Sequence, residues 1–91
     1  MQSRSLVREV NLRIHSLALT LEIPLEYVCE CAGHRCLELL PIAHEEFDEV
    51  LTQPGCYVVA AGHDGPGDRL ISQRPNYLIV RWEPQVPVSA S

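Results

Sequence analysis

The segment Cys29–Cys36, which reads CECAGHRC, places three thiols within eight residues, with a glycine between the second and the third. Cys29 and Cys31 project from the same face of an extended chain, because alternate residues of a strand share a face. A turn at Ala32-Gly33 then returns Cys36 toward them. We therefore predict that the three sulfurs converge on a zinc ion, which prefers four tetrahedral sulfur or imidazole ligands. The fourth ligand has to come from another part of the chain.

His63 is the preferred fourth ligand. It lies on a glycine-flanked loop, Gly62-His63-Asp64-Gly65, directly after a predicted strand, where the backbone can bend toward a metal. Asp64 is placed to orient a metal ligand. Cys56 is the alternative and would give a four-cysteine site, although free cysteine is often buried as a small hydrophobe. His34, inside the loop, would crowd the chelate. The predicted zinc ligands are therefore Cys29, Cys31, Cys36 and His63.

The chain as a whole fits a small metal-stabilised protein. Its 91 residues are 46% hydrophobic and indicate one domain, whose core at this size often needs a metal. The formal net charge of -5 argues against nucleic-acid binding. No apolar run approaches the ~20 residues that span a bilayer, and no signal-peptide core is present. We expect no membrane partner and a cytoplasmic location, where four cysteines indicate metal rather than disulfides.

The predicted fold class is α+β, in a single zinc-stabilised domain of residues 1–82 with a loosely ordered tail at 83–91. The domain combines an N-terminal amphipathic helix, a zinc-knuckle hairpin, a second short helix and a small antiparallel sheet. Residues 25–31 and 36–40 are the two arms of the hairpin. Pro41 suits the first position of the second helix, which turns Phe47 and Val50 toward the core together with Ala43 and Leu51.

Residues 5–21 predict the N-terminal helix, because apolar side chains recur at steps of three and four. The predicted core face consists of Val7, Val10, Ile14, Leu17 and Leu21, widened by Leu6 and Ala18. Arg8 and Asn11 then lie on the solvent side, and we expect His15 and His44 to be solvated. The same apolar stripe, about two heptads long, alternatively forms the seam of a homodimer.

Three segments after the second helix have strand character. The pattern predicts a central strand at 56–61, a short helix or a strand at 69–73, and the clearest strand of the chain at 77–82.

Several motifs follow one another between about residue 9 and residue 81: Val10-Asn11-x-Arg13-Ile14, Val28-Cys29-Glu30-Cys31, Cys36, Leu37-Glu38-Leu39, an acidic helix, Gly62-His63 and Tyr77-Leu78-Ile79-Val80. This order resembles a family of small bacterial zinc-finger-like proteins of undetermined role. The resemblance implies that His63 completes the site of three cysteines. The chain departs from the family at Cys56, where an aromatic residue is more usual, and at Leu40-Pro41, where a polar cap is usual. The cysteine spacing is also locally similar to the post-SET zinc motif of lysine methyltransferases, without their catalytic domain.

These residues favour a structural site over an enzyme. Three cysteines and a histidine leave no open position for water at zinc, so we expect no catalysis. We expect a regulatory adaptor that binds another protein, in transcription or signalling, through the N-terminal or the acidic helix. The alternative is a thiol or metal redox sensor whose zinc site opens on oxidation, with Cys56 as a spare thiol. A weaker alternative is nucleic-acid binding through Arg4, Arg8 and Arg13.

Overall fold

The computed structural model describes residues 4–31 and 36–83. Within these residues the elements are α1 (Arg4–Leu21), β1 (Tyr27–Val28), β2 (Leu39–Leu40), α2 (His44–Leu51), β3 (Cys56–Val59), β4 (Asp68–Gln73) and β5 (Leu78–Trp82). The first two strands form an antiparallel hairpin, and the other three form an antiparallel sheet in the order β3-β5-β4. The predicted α+β architecture is confirmed. Of the predicted tail, 84–91 lies outside the described residues.

The helix α1 turns a different face to the core than its hydrophobic pattern predicts. Its buried residues are Val7, Asn11, His15 and Ala18. Val10, Leu17 and Leu21 were expected in the core, but they are 48%, 53% and 54% exposed. The prediction was therefore wrong for most of the apolar stripe, and the helix packs instead through an edge that contains polar side chains.

Hydrogen bonds explain this orientation of α1. The Asn11 amide donates to the carbonyl of Val28 and accepts from its N–H, each at 2.8 Å. The ring nitrogens of His15 lie 2.8 Å from the Tyr27 hydroxyl and 2.7 Å from the Asp48 carboxylate. Buried polar groups with such partners are tolerated in a core, whereas the same groups without partners would be costly. The expectation that His15 is solvated is wrong for this reason.

The helix α2 begins three residues later than predicted. Leu40 still pairs with Tyr27 in the hairpin, and Ala43 keeps extended backbone angles (φ -67°, ψ 146°) as the residue that caps α2. Pro41 is therefore not the first helical residue. Phe47 and Val50 are fully buried as predicted. Phe47 stacks on Tyr27 with ring centroids 4.3 Å apart, which joins α2 to the hairpin.

The three-stranded sheet places β5 at its centre, and β3 lies at its edge rather than in the predicted central position. The free edge of β3 is nevertheless covered. The N–H of Glu30 donates to the Val58 carbonyl at 2.7 Å, and the N–H of Val58 donates to the Glu30 carboxylate at 3.0 Å. The segment between the first two cysteines thus lies beside β3 like a neighbouring strand. In the described part of the chain, neither helix is long and apolar enough to cross a membrane.

Candidate metal centre

Four side chains meet at the end of β3. Cys29, Cys31, Cys36 and His63 each offer one ligand atom, and these four atoms all lie within 4.8 Å of one another. The first two cysteines are buried, and Cys36 and His63 are half-buried. The four residues predicted from the sequence are therefore brought together from two segments that are separated by α2 and β3. Three sulfurs and an imidazole are a donor set that suits tetrahedral zinc.

Backbone contacts fix the position of Cys29. Its N–H donates to the Glu38 carbonyl at 2.8 Å, which extends the hairpin beyond the two pairs of β1 and β2. Its sulfur accepts a hydrogen bond from the N–H of Ala60 at 3.2 Å. Amide donors to a sulfur stabilise the thiolate form and orient the ligand. Cys29 is therefore held by the hairpin on one side and by the end of β3 on the other.

A tight turn after β3 returns His63 to the cysteines. The N–H of His63 donates to the Ala60 carbonyl at 2.9 Å, which closes a four-residue turn. Gly62 occupies its third position with φ of 85°, the left-handed conformation that type II turns require there. A Cβ at Gly62 would meet no atom within 4 Å, so the requirement for glycine is conformational rather than steric.

The His63 ring is oriented with one nitrogen toward the sulfurs. Its Nδ1 lies 3.5 Å from the sulfurs of both Cys29 and Cys36. Its Nε2 lies 3.8 Å from a carboxylate oxygen of Glu38. Histidines that bind metals commonly direct the other ring nitrogen at a carboxylate, which fixes the ring. Glu38 holds this position instead of the predicted Asp64, which is exposed.

The Cys29 thiol resists ionisation in its buried position. Burial raises the pKa of the Cys29 thiol to about 12, against a smaller, opposing effect of the hydrogen bond from Ala60. A thiol in this environment stays protonated at neutral pH unless a positive charge is nearby. A divalent ion would supply that charge and convert the thiol to a thiolate ligand.

The other candidate ligands that the structure describes do not join the cluster. Cys56 is buried, and its sulfur lies 3.7 Å from the side-chain oxygen of Gln53. His15 and His44 meet around the Tyr27 hydroxyl, in a separate group. His34 lies outside the described residues.

A buried ionic network that the sequence did not predict lies behind the cysteines. Glu30, between Cys29 and Cys31, is fully buried, and its carboxylate accepts two hydrogen bonds from Arg8, at 2.7 and 3.0 Å. Asn11 donates to the same carboxylate at 2.9 Å. A charged residue between two cysteines that are expected to be buried was the signal available in the sequence, since such a charge requires a partner.

A second ion pair fastens the start of α1. Both terminal nitrogens of Arg4 contact the Asp68 carboxylate, at 2.7 and 2.6 Å, while Nε donates to the carbonyl of Glu30 at 2.7 Å. The guanidinium groups of Arg4 and Arg8 also lie over the Tyr57 ring, 4.8 and 4.9 Å from its centroid. Two of the three arginines of α1 are thus engaged inside the domain.

No protein-family model, curated protein or solved structure matches this chain. The resemblance to a bacterial zinc-finger-like family therefore stays a prediction from the sequence. What the structure adds to it is the cluster itself, three cysteines and one histidine in an arrangement able to hold a metal ion.

Proposed function

We propose that Cys29, Cys31, Cys36 and His63 bind one zinc ion, and that the chain is a zinc-stabilised adaptor that binds another protein. The proximity of the four ligand atoms, all within 4.8 Å, carries the proposal. Four strong donors complete the coordination of tetrahedral zinc and leave no position for a reacting water, so the role of the ion is structural.

Zinc binding is tested with purified protein and a panel of single variants. One zinc per chain is expected for the wild type, and loss of zinc for Cys31→Ser and His63→Ala. Cys56→Ala is the matched control, a buried cysteine outside the cluster. It is expected to keep the metal and to lower the free energy of unfolding by about 1 kcal/mol. Retention of zinc in His63→Ala together with loss in Cys56→Ala would contradict the ligand assignment.

The adaptor role is supported by the outer row of α1, which we define as Leu6, Val10, Leu17 and Leu21. These four side chains are 60%, 48%, 53% and 54% exposed. Rows of exposed aliphatic side chains along a helix are typical of protein–protein contact surfaces. The partner is a different protein or a second copy of this chain.

Solution mass distinguishes the two partners. A dimer of the wild type that Leu17→Gln converts to a monomer would assign the row to a second copy. If the wild type is a monomer, the outer row is assigned to a different protein. Partner binding that Leu17→Gln does not weaken would refute the assignment of this surface.

A redox sensor is the alternative, favoured by the partial exposure of Cys36 and of His63, whose side chain is 34% exposed. Oxidation of a thiolate would release the metal. Mild peroxide separates the two roles, because an adaptor keeps its zinc and a sensor loses it. The nucleic-acid alternative gains no support, because Arg4 and Arg8 are committed to Asp68 and Glu30.

A further inference from the structure

We infer that docking of α1 and metal binding are one coupled equilibrium, transmitted by Glu30. The inference rests on the proposed metal site and adds its regulation. A change that undocks α1 lowers the affinity for the metal, and loss of the metal weakens the docking of α1. In this account Glu30 and Arg8 are positioning residues, which act on the ion only through the two cysteines that flank Glu30.

Glu30 is held in place through its backbone. It lies between Cys29 and Cys31, so any displacement of its backbone displaces at least one ligand. Its N–H donates to Val58 and its carbonyl accepts from Arg4, both at 2.7 Å. The N–H of Glu30 is thus fixed by β3, and its carbonyl is fixed by α1.

The carboxylate of Glu30 accepts four hydrogen bonds. Arg8 supplies two, at 2.7 and 3.0 Å, Asn11 one at 2.9 Å, and the N–H of Val58 one at 3.0 Å. Three of the four come from α1. The carboxylate is fully buried, so without α1 it would lose most of the contacts that compensate its charge.

Besides these contacts, residues 29–31 are held by the bonds of Cys29 to Glu38 and Ala60, and they belong to no strand. Regular pairing ends at Val28, and the hairpin has two residues in each strand. Contacts behind metal ligands orient them and commonly change metal affinity about 10- to 100-fold when removed. Because coupling between two binding events is reciprocal, the ion must stabilise the docked helix by the same factor.

The test measures zinc affinity by competition with a chromophoric chelator in the full chain. Arg8→Met is expected to bind zinc about 10- to 100-fold more weakly than the wild type. Arg13→Met is the matched control, because Arg13 is on the same helix and its side chain is 82% exposed. The double variant Arg8→Met, Glu30→Gln leaves no unpaired buried charge and is the variant to use if Arg8→Met does not fold.

A second control separates positioning from general stability. Val50→Ala weakens the core in α2 without removing a metal ligand or a partner of Glu30, so any loss of zinc affinity it causes reports stability alone. Cobalt substituted for zinc reports ligand geometry through its visible absorption. The Arg8 variants are expected to change this spectrum, whereas Val50→Ala is expected to leave it as in the wild type.

The reciprocal effect is read by hydrogen exchange. In the zinc-loaded state, α1 amides are expected to exchange faster in the double variant than in the wild type, whereas β4 and β5 amides are expected to exchange at similar rates in both. Unchanged affinity, cobalt spectrum and exchange pattern in the Arg8 variants would overturn the coupling while leaving zinc binding intact. A wild type without zinc would instead overturn the proposed function itself.

Discussion

The metal corner, which we define as Tyr27–Cys31, Cys36–Leu40 and 60–63, and the sheet β3-β5-β4 are built on different principles. The sheet consists of strands of four to six residues joined by ladders of four or five residue pairs, with one register shift between Leu70 and Ser72 of β4. The hairpin of the corner has two-residue strands, and many of its backbone groups bond to side chains or to isolated carbonyls. A ladder stabilises itself through repetition, whereas the corner depends on a few specific groups and, in our account, on a metal ion.

Removal of zinc is expected to have the largest effect and tests whether the metal corner depends on the ion. Structural zinc in small domains contributes on the order of 10 kcal/mol of apparent binding free energy at neutral pH, comparable to the whole stability of a domain. We expect a chelator to abolish the folded state, because Cys29 and Cys31 belong to the same core cluster as Phe47 and Val58. Near-ultraviolet circular dichroism and a fresh zinc titration measure the loss and its reversal. A chelated protein with an unchanged spectrum would contradict the dependence on metal.

A substitution in the sheet has a smaller effect and leaves the metal in place. Val80 is fully buried in the central strand. Val80→Ala removes two methyl groups from a packed core, which lowers the free energy of unfolding by about 2 kcal/mol. Denaturant unfolding of the zinc-loaded protein gives this value, and metal analysis at low denaturant is expected to show one zinc per chain. Loss of zinc in this variant would show that metal binding in the corner depends on the packing of the sheet.

The ion pair between Arg4 and Asp68 links α1 to β4 and gives a pH test. Burial raises the pKa of the Asp68 carboxyl, but hydrogen bonds from Arg4 and the Gly65 N–H, with the Arg4 charge, outweigh it and lower the pKa below its ordinary value of 3.8. A carboxyl with a lowered folded pKa contributes stability above its unfolded pKa and loses it as the pH falls through the folded one.

Asp68→Asn is therefore expected to cost about 1–3 kcal/mol, the worth of hydrogen bonds to a charged group. Because both pKa values of Asp68 lie at or below 3.8, the difference between wild type and variant stays constant from about pH 8 to about pH 5. Denaturant unfolding across this range measures it. A difference that vanishes above about pH 5 would show that another group is responsible.

The smallest effect is expected on the outer row of α1. Leu17→Gln changes a side chain that is 53% exposed, and the free energy of unfolding should stay within about 0.5 kcal/mol of the wild type. Asn11→Ala is the matched contrast on the inner face. It removes the partners of both backbone groups of Val28 and is expected to cost about 1–3 kcal/mol. Denaturant unfolding of both variants gives their free energies of unfolding. A larger loss of stability in Leu17→Gln than in Asn11→Ala would contradict the orientation of α1 described here.

The amino-acid sequence predicts the sheet and the cysteines better than it predicts α1. Aliphatic strands such as β5 are recognisable because local composition and tertiary role agree. The four clustered residues were predictable because ligand chemistry restricts the choice to few residue types. The face of α1 was not, since hydrophobic periodicity carries no information about partners. Asn11 and His15 are buried because they form hydrogen bonds with Val28, Tyr27 and Asp48. These partners are distant from them in the sequence.

Glu38 and Glu30 were missed for a related reason. Each acts through geometry that exists only in the folded chain: one faces the far nitrogen of His63, and the other is enclosed between α1 and β3. A sequence pattern shows a carboxylate beside a cysteine but does not show which groups surround it.

X-ray absorption spectroscopy at the zinc edge, on protein purified without added chelator, tests the central claim most directly. The account predicts one zinc per chain with three sulfur neighbours at about 2.3 Å and one nitrogen neighbour at about 2.0 Å. A spectrum with four sulfur neighbours would show that another ligand takes the place of His63. A protein that carries no zinc, with the cysteines joined as disulfides, would contradict the account.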